Sequence, residues 1–168
     1  MKKTSHLAFC SIAASLNVLF LIFSNFIPFL NYSICFLCGC LITSIALEIN
    51  LKSAFLVYFV VSIACIFTIF SNYNVFLYIA FVGHYPIIKL LLNRFKKIIK
   101  ILVKFLIFIA ISFLLNLAYF SIFAVTNKNA IFHLALILTF LVLMAYDFLI
   151  SSFIAFYNNK LKGRFFKN

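Results

Sequence analysis

The chain has 168 residues, of which 67% are apolar, 20% aromatic and only 10% charged. A soluble domain is about a quarter charged and just under half apolar, and a globule this small leaves too much surface in water to hide the excess. A soluble enzyme and a disordered chain are therefore both excluded. The expected class is an all-α integral membrane protein, a bundle of six transmembrane helices in a single transmembrane domain over residues 1–168. The net charge of +12, from fourteen basic residues against two acids, would point to nucleic acid in a soluble protein. Here the basic residues flank apolar runs, with no zinc-finger spacing and no basic-aromatic interleaving on a polar surface. Nucleic-acid binding is excluded on that ground, and membrane lipid takes its place as the partner of the cations.

A bilayer core about 30 Å thick takes roughly 20 apolar residues per helix. The first predicted span covers 6–28 and closes at Pro28. The preceding Met1-Lys2-Lys3 resembles the start of a signal peptide, but the run is too long and lacks a small-x-small cleavage site, so an uncleaved helix is expected. Asn17 and Asn25 are neutral polar residues within it, read as packing glue. The second span, 32–49, holds Cys35, Cys38 and Cys40. Their spacing suggests a metal site, but no His or second Cys-x-x-Cys pair accompanies them, and they read as small buried residues. Glu48 ends this span four residues before Lys52, a spacing that predicts a turn ion pair. The third span is 53–70.

The fourth span, 73–92, contains Gly83-His84-Tyr85-Pro86. Pro86 cannot donate to the carbonyl of Val82 and its ring crowds that carbonyl, which predicts a kink. From Ile87 to Lys104 there is no Gly or Pro. At 100° per residue, Lys89, Asn93, Lys96, Lys97, Lys100 and Lys104 share a wedge about 100° wide, predicting an amphipathic helix in the headgroup plane. Lys96, Lys97, Lys100 and Lys104 are its candidate lipid-headgroup residues. The fifth span is 101–125, with Asn116 inside it, and the sixth is 131–157. Short polar breaks at Asn31, Asn50, Ser71-Asn72 and Thr126–Asn129 supply the turns between spans.

With the N-terminus inside, thirteen of the fourteen basic residues face the cytoplasm and only Lys128 lies outside. Both termini are then cytoplasmic, in a multi-pass protein of a cell membrane read as bacterial. Ionisable residues at membrane depth are costly and mark candidate sites. Asp147 lies about 15 Å from the inner end of the sixth span and His84 about 12 Å from that of the fourth. They have a common depth, with Lys89 as a further candidate partner. His84, Tyr85, Asn116 and Asp147 form the candidate substrate-binding set, against the plainer reading of a polar clasp between helices. No HExxH, nucleophile elbow, phosphate loop or carboxylate pair is present. The chain reads as no enzyme, with neither a cofactor nor a metal site.

The topology is similar to that of the substrate-binding S component of energy-coupling-factor (ECF) transporters. The local likeness lies in Leu7-Ala8-Phe9-Cys10-Ser11-Ile12-Ala13-Ala14-Ser15-Leu16 and, more faintly, in Ala46–Ala54. In that family small residues four apart on the first helix meet a transmembrane coupling subunit. Here Cys10 with Ala14 and Ser11 with Ser15 stand in place of the Ala-x-x-x-Ala pair, which makes these four the candidate partner interface. The resemblance implies a membrane subunit that binds a vitamin or similar small solute and relies on a separate coupling subunit and ATPases for uptake. Two further readings are a non-transporting membrane scaffold and a small proton-linked carrier using Asp147 and His84.

Overall fold

The computed structural model describes residues 2–24, 26, 27, 31–69, 73–93, 95–122 and 128–160. Met1, Asn25, Pro28, Ser71, Asn72, Thr126 and Asn127, all named above, lie outside them, as does the tail beyond Lys160. Every regular element among the described residues is helical. In chain order these are α1 (Lys2–Phe23), α2 (Asn31–Glu48), α3 (Leu51–Ile69), α4 (Tyr73–Leu77), a π-helix (Tyr78–Val82), α5 (Tyr85–Leu92), α6 (Lys97–Ile122) and α7 (Lys128–Lys160). Five stretches are long and apolar enough to cross a membrane, and a sixth, Leu51–Phe67, is shorter. These correspond to the six predicted runs.

The helices group into two compact units. The first comprises the described residues of 1–90 and 150–168, and the second those of 91–149. The core of the first unit is built from α1, α2, α3 and the π-helix. α2 supplies small buried residues, Cys35, Cys38, Gly39, Cys40 and Thr43, interleaved with Ile34, Ile42 and Ile45. Small side chains let helices approach closely and make dense dispersion contacts. Tyr78, Phe81, Tyr85, Leu21 and Val61 fill the remaining interior.

The turn between α2 and α3 departs from the predicted ion pair. α2 stops at Glu48, and Asn50 caps α3 by accepting the Ser53 N–H on its side-chain oxygen at 2.7 Å. An i, i+4 pair needs continuous helix, so Glu48 is not set against Lys52. Its carboxylate accepts instead from the Tyr157 hydroxyl at 2.9 Å.

The helix expected to continue from Ile87 to Lys104 is broken. α5 ends at Leu92, the Phe95 N–H closes a tight turn on the Leu92 carbonyl at 3.1 Å, and α6 restarts at Lys97. Asn93 favours turns, and a run of cations repels itself along a helix face. Lys100 reaches back across the break to the Asn93 side-chain oxygen. The six-residue basic wedge is thus divided between two helices and the turn joining them.

In the second unit α6 and α7 pair antiparallel through side chains. Phe108 and Phe105 meet Phe140, and Phe113 meets Phe132 edge-on at 6.2 Å. The remaining faces carry exposed apolar residues such as Leu106 and Leu138.

Candidate functional site

The fourth apolar run is interrupted over residues 78–84, and the interruption organises the polar interior of the first unit. The Gly83 N–H bonds to the Tyr78 carbonyl at 2.9 Å, an i→i+5 link. Gly83 N–H would be the ordinary i+4 donor for the Ile79 carbonyl, so that oxygen is released from the helical ladder. The Tyr58 hydroxyl of α3 donates to it at 2.9 Å. His84 Nδ1 stands 3.3 Å from the same oxygen and packs edge-on against the Tyr58 ring at 5.8 Å. Such π-turns recur at functional sites because they release backbone groups for other partners.

Gly83 is fixed by space and not by backbone strain, since its φ is −73°. A Cβ there would stand 2.3 Å from Tyr58 Cδ2 and 3.1 Å from Tyr78 Cζ. Pro86 is the second residue of α5, where a missing N–H costs nothing. The irregular turn therefore falls just ahead of the proline. The His84 carbonyl starts α5 by accepting from Ile87 and Ile88, both at 3.1 Å.

Tyr78 and Asn17 are both fully buried. The Tyr78 hydroxyl and the Asn17 side-chain oxygen reach no hydrogen-bond partner among the described residues. Cys38 Sγ is 3.9 Å from the Asn17 main-chain oxygen, and the Tyr78 ring lies 6.1 Å from that of Tyr58. Burying an unpaired polar group costs about 1–3 kcal/mol, so each of these two atoms carries an unmet hydrogen-bonding demand. Among the described residues no group of three or more His, Cys, Asp or Glu has the arrangement to hold a metal ion.

The four candidate substrate residues divide between the units. His84 and Tyr85 belong to the first unit. His84 joins the Ile79 cluster, whereas Tyr85 is fully buried and stacks on Phe81 at 4.5 Å. Lys89, raised as a partner for Asp147, is 3% exposed, donates to Ser151 Oγ at 2.5 Å and lies over the Tyr85 ring.

Asn116 and Asp147 belong to the second unit, where side chains of that unit engage them. Asn116 Nδ2 donates to Thr139 Oγ1 and to the Ser112 carbonyl, both at 2.8 Å, and Ser112 Oγ meets Thr139 Oγ1 at 2.7 Å. Asp147 accepts both oxygens' bonds from Lys104 Nζ, at 2.8 and 3.0 Å. Lys104, one of the headgroup candidates, is in the structure the ion-pair partner of Asp147. An uncompensated carboxylate in an apolar setting costs more than turning one lysine stem inward. Lys96 is exposed and Lys97 opens α6, so the remaining headgroup candidates sit at the break and the first turn of that helix.

The candidate partner residues on α1 line an open groove of about 560 Å³ against α3. Cys10, Ser11 and Ala14 belong to its wall, while Ser15 is exposed beside it and donates to the Ser11 carbonyl at 2.8 Å.

Sequence reasoning missed Tyr58, Tyr78, Ser112 and Thr139. Only Lys104 had left a signal, because a lone acid in an apolar run demands a cation at similar depth. No protein-family model matches the chain, and no curated protein or solved structure matches it.

Proposed function

We propose that the chain is a multi-pass membrane subunit, similar to an ECF S component, that holds a small polar solute at the interrupted fourth span and works with a separate ATP-driven coupling module. Six apolar helical runs, with large apolar side chains exposed on α6 and α7, support residence in a bilayer. The lysine distribution supports cytoplasmic termini. The observation that carries solute binding is the pair of fully buried polar atoms without partners among the described residues, the Tyr78 hydroxyl and Asn17 Oδ1, the former within the π-turn of the fourth span. Broken helices in membrane carriers put polar groups where a solute can use them. Tyr58 and His84 flank this place and complete a neutral set of donors and acceptors suited to an uncharged or zwitterionic guest. The coupling module engages α1 along Cys10, Ser11, Ala14 and Ser15, where small side chains allow close helix approach.

The test is reconstitution with a coupling subunit and its ATPases in vesicles, followed by ATP-dependent uptake across a panel of vitamins and related solutes. The expected result is uptake of one solute class, with Tyr78→Phe and Asn17→Leu each weakening its binding roughly tenfold or more through loss of a buried hydrogen bond. Failure of every solute to bind, or binding unchanged in both variants, would remove the proposal. Uptake by the chain alone, abolished by Asp147→Asn, would favour a proton-linked carrier instead.

A further inference from the structure

We infer that the groove between α1 and α3 is a binding site for an anionic phospholipid, with one acyl chain laid along the groove and the phosphate at its His6–Asn50–Ser53 end. The groove encloses about 560 Å³, within the range of small-molecule sites. Along α1 it runs from His6 to Ala14, eight residues or about 12 Å at the helical rise, and along α3 from Ser53 to Val60. Its two ends differ in chemistry. The deep end is apolar, walled by Ala14, Leu56, Val57 and Val60. The shallow end carries the polar groups His6, Asn50 and Ser53.

Charge selects the occupant. Lys52 is exposed and adjoins Ser53 at the start of α3. The acid of this region, Glu48, is engaged by the Tyr157 hydroxyl. An exposed cation beside the polar mouth of an apolar trough is complementary to an amphiphile with a negative head and a hydrocarbon tail. The lysine distribution puts this end of both helices at the cytoplasmic leaflet, where anionic lipids reside. The lipid occupies the groove in the subunit on its own, and docking of a coupling subunit on the same residues of α1 displaces it. This inference rests on the bilayer location of the chain and not on solute binding at Tyr78.

The experiment uses the full chain in phosphatidylcholine vesicles doped with a photoactivatable acyl-chain probe, either phosphatidylglycerol or phosphatidylcholine. Labelled peptides are then mapped. The anionic probe is expected to label residues 7–14 and 53–60 about fivefold more than the zwitterionic one, the preference a single nearby cation gives. Lys52→Glu is expected to erase that preference. Ala14→Phe is expected to remove labelling by both probes. Because Ala14 is half-buried, Leu56→Trp, at a position 63% exposed, fills the same trough with less risk to folding. Equal labelling by the two probes would overturn the inference. So would labelling at Leu106 and Leu138 that matches the groove, or labelling that persists in a folded Leu56→Trp chain. Capture of a second polypeptide by a probe on Cys10, in place of lipid, would also overturn it. A chain that never enters the vesicles would refute the bilayer location itself, a result distinct from loss of lipid preference.

Discussion

The two units handle the same physical problem in opposite ways. In the second, each polar side chain named along the α6–α7 seam meets another: Lys104 with Asp147, Ser112 with Thr139, Thr139 with Asn116. In the first, the helix itself is broken, and polar atoms at Tyr78 and Asn17 are buried without partners among the described residues. The window Val75–Leu92, which contains the break, is 61% buried, against 17% for Ile98–Leu117 in the second unit. A satisfied polar seam fixes two helices together, whereas an unsatisfied buried atom keeps capacity for a guest. Under the proposed reading, the difference moves the functional emphasis away from Asp147, the most conspicuous residue in the sequence.

Three sets of substitutions sharpen or break this contrast. The largest effect is expected at the ion pair. Asp147→Leu leaves the Lys104 ammonium uncompensated at 16% side-chain exposure and should cost about 3–5 kcal/mol. Adding Lys104→Met should restore most of the loss. Denaturant unfolding in detergent, analysed as a double-mutant cycle, measures both. A single substitution without cost would show that the seam is no clasp.

Gly83→Ala comes next. Its methyl would sit 2.3 Å from the Tyr58 ring, and overpacking of this kind costs about 1–3 kcal/mol. Tyr58→Leu in the same chain should relieve the clash while sacrificing the bond to the Ile79 carbonyl. The thermal midpoints of the single and double variants test this. If Gly83→Ala melts with the wild type, α3 does not press on the break as described.

The smallest effects discriminate most finely. Thr139→Val removes a satisfied polar group and should destabilise by about 0.6–1.7 kcal/mol. Tyr78→Phe removes an unpartnered hydroxyl and should be neutral or slightly stabilising. Equal losses in paired unfolding curves would erase the distinction between the units.

Much of the architecture could be read from residue order. The apolar runs at 32–49 and 131–157 match α2 and α7 to within three residues at each end, because continuous hydrophobicity and a polar break are local properties. The proline of the fourth span announced an interruption, but its form was not legible. The π-turn depends on Tyr58, twenty-five residues before Gly83, pressing on a glycine from another helix. The helix predicted across 87–104 failed for a related reason. Periodicity described each residue's angle but not the turn that Asn93 and its cationic neighbours impose.

Composition and hydrophobic run length by themselves determined that this chain forms long apolar helices, the element whose backbone groups are satisfied within one segment. Charge placement gave the expected orientation by the same local logic. Tertiary structure alone decided which polar groups meet: Lys104 turned onto Asp147, Glu48 bound by Tyr157, and the Tyr78 hydroxyl enclosed without a partner among the described residues. Such pairings join residues up to 109 positions apart, and their strength depends on distance and burial, which no linear pattern encodes.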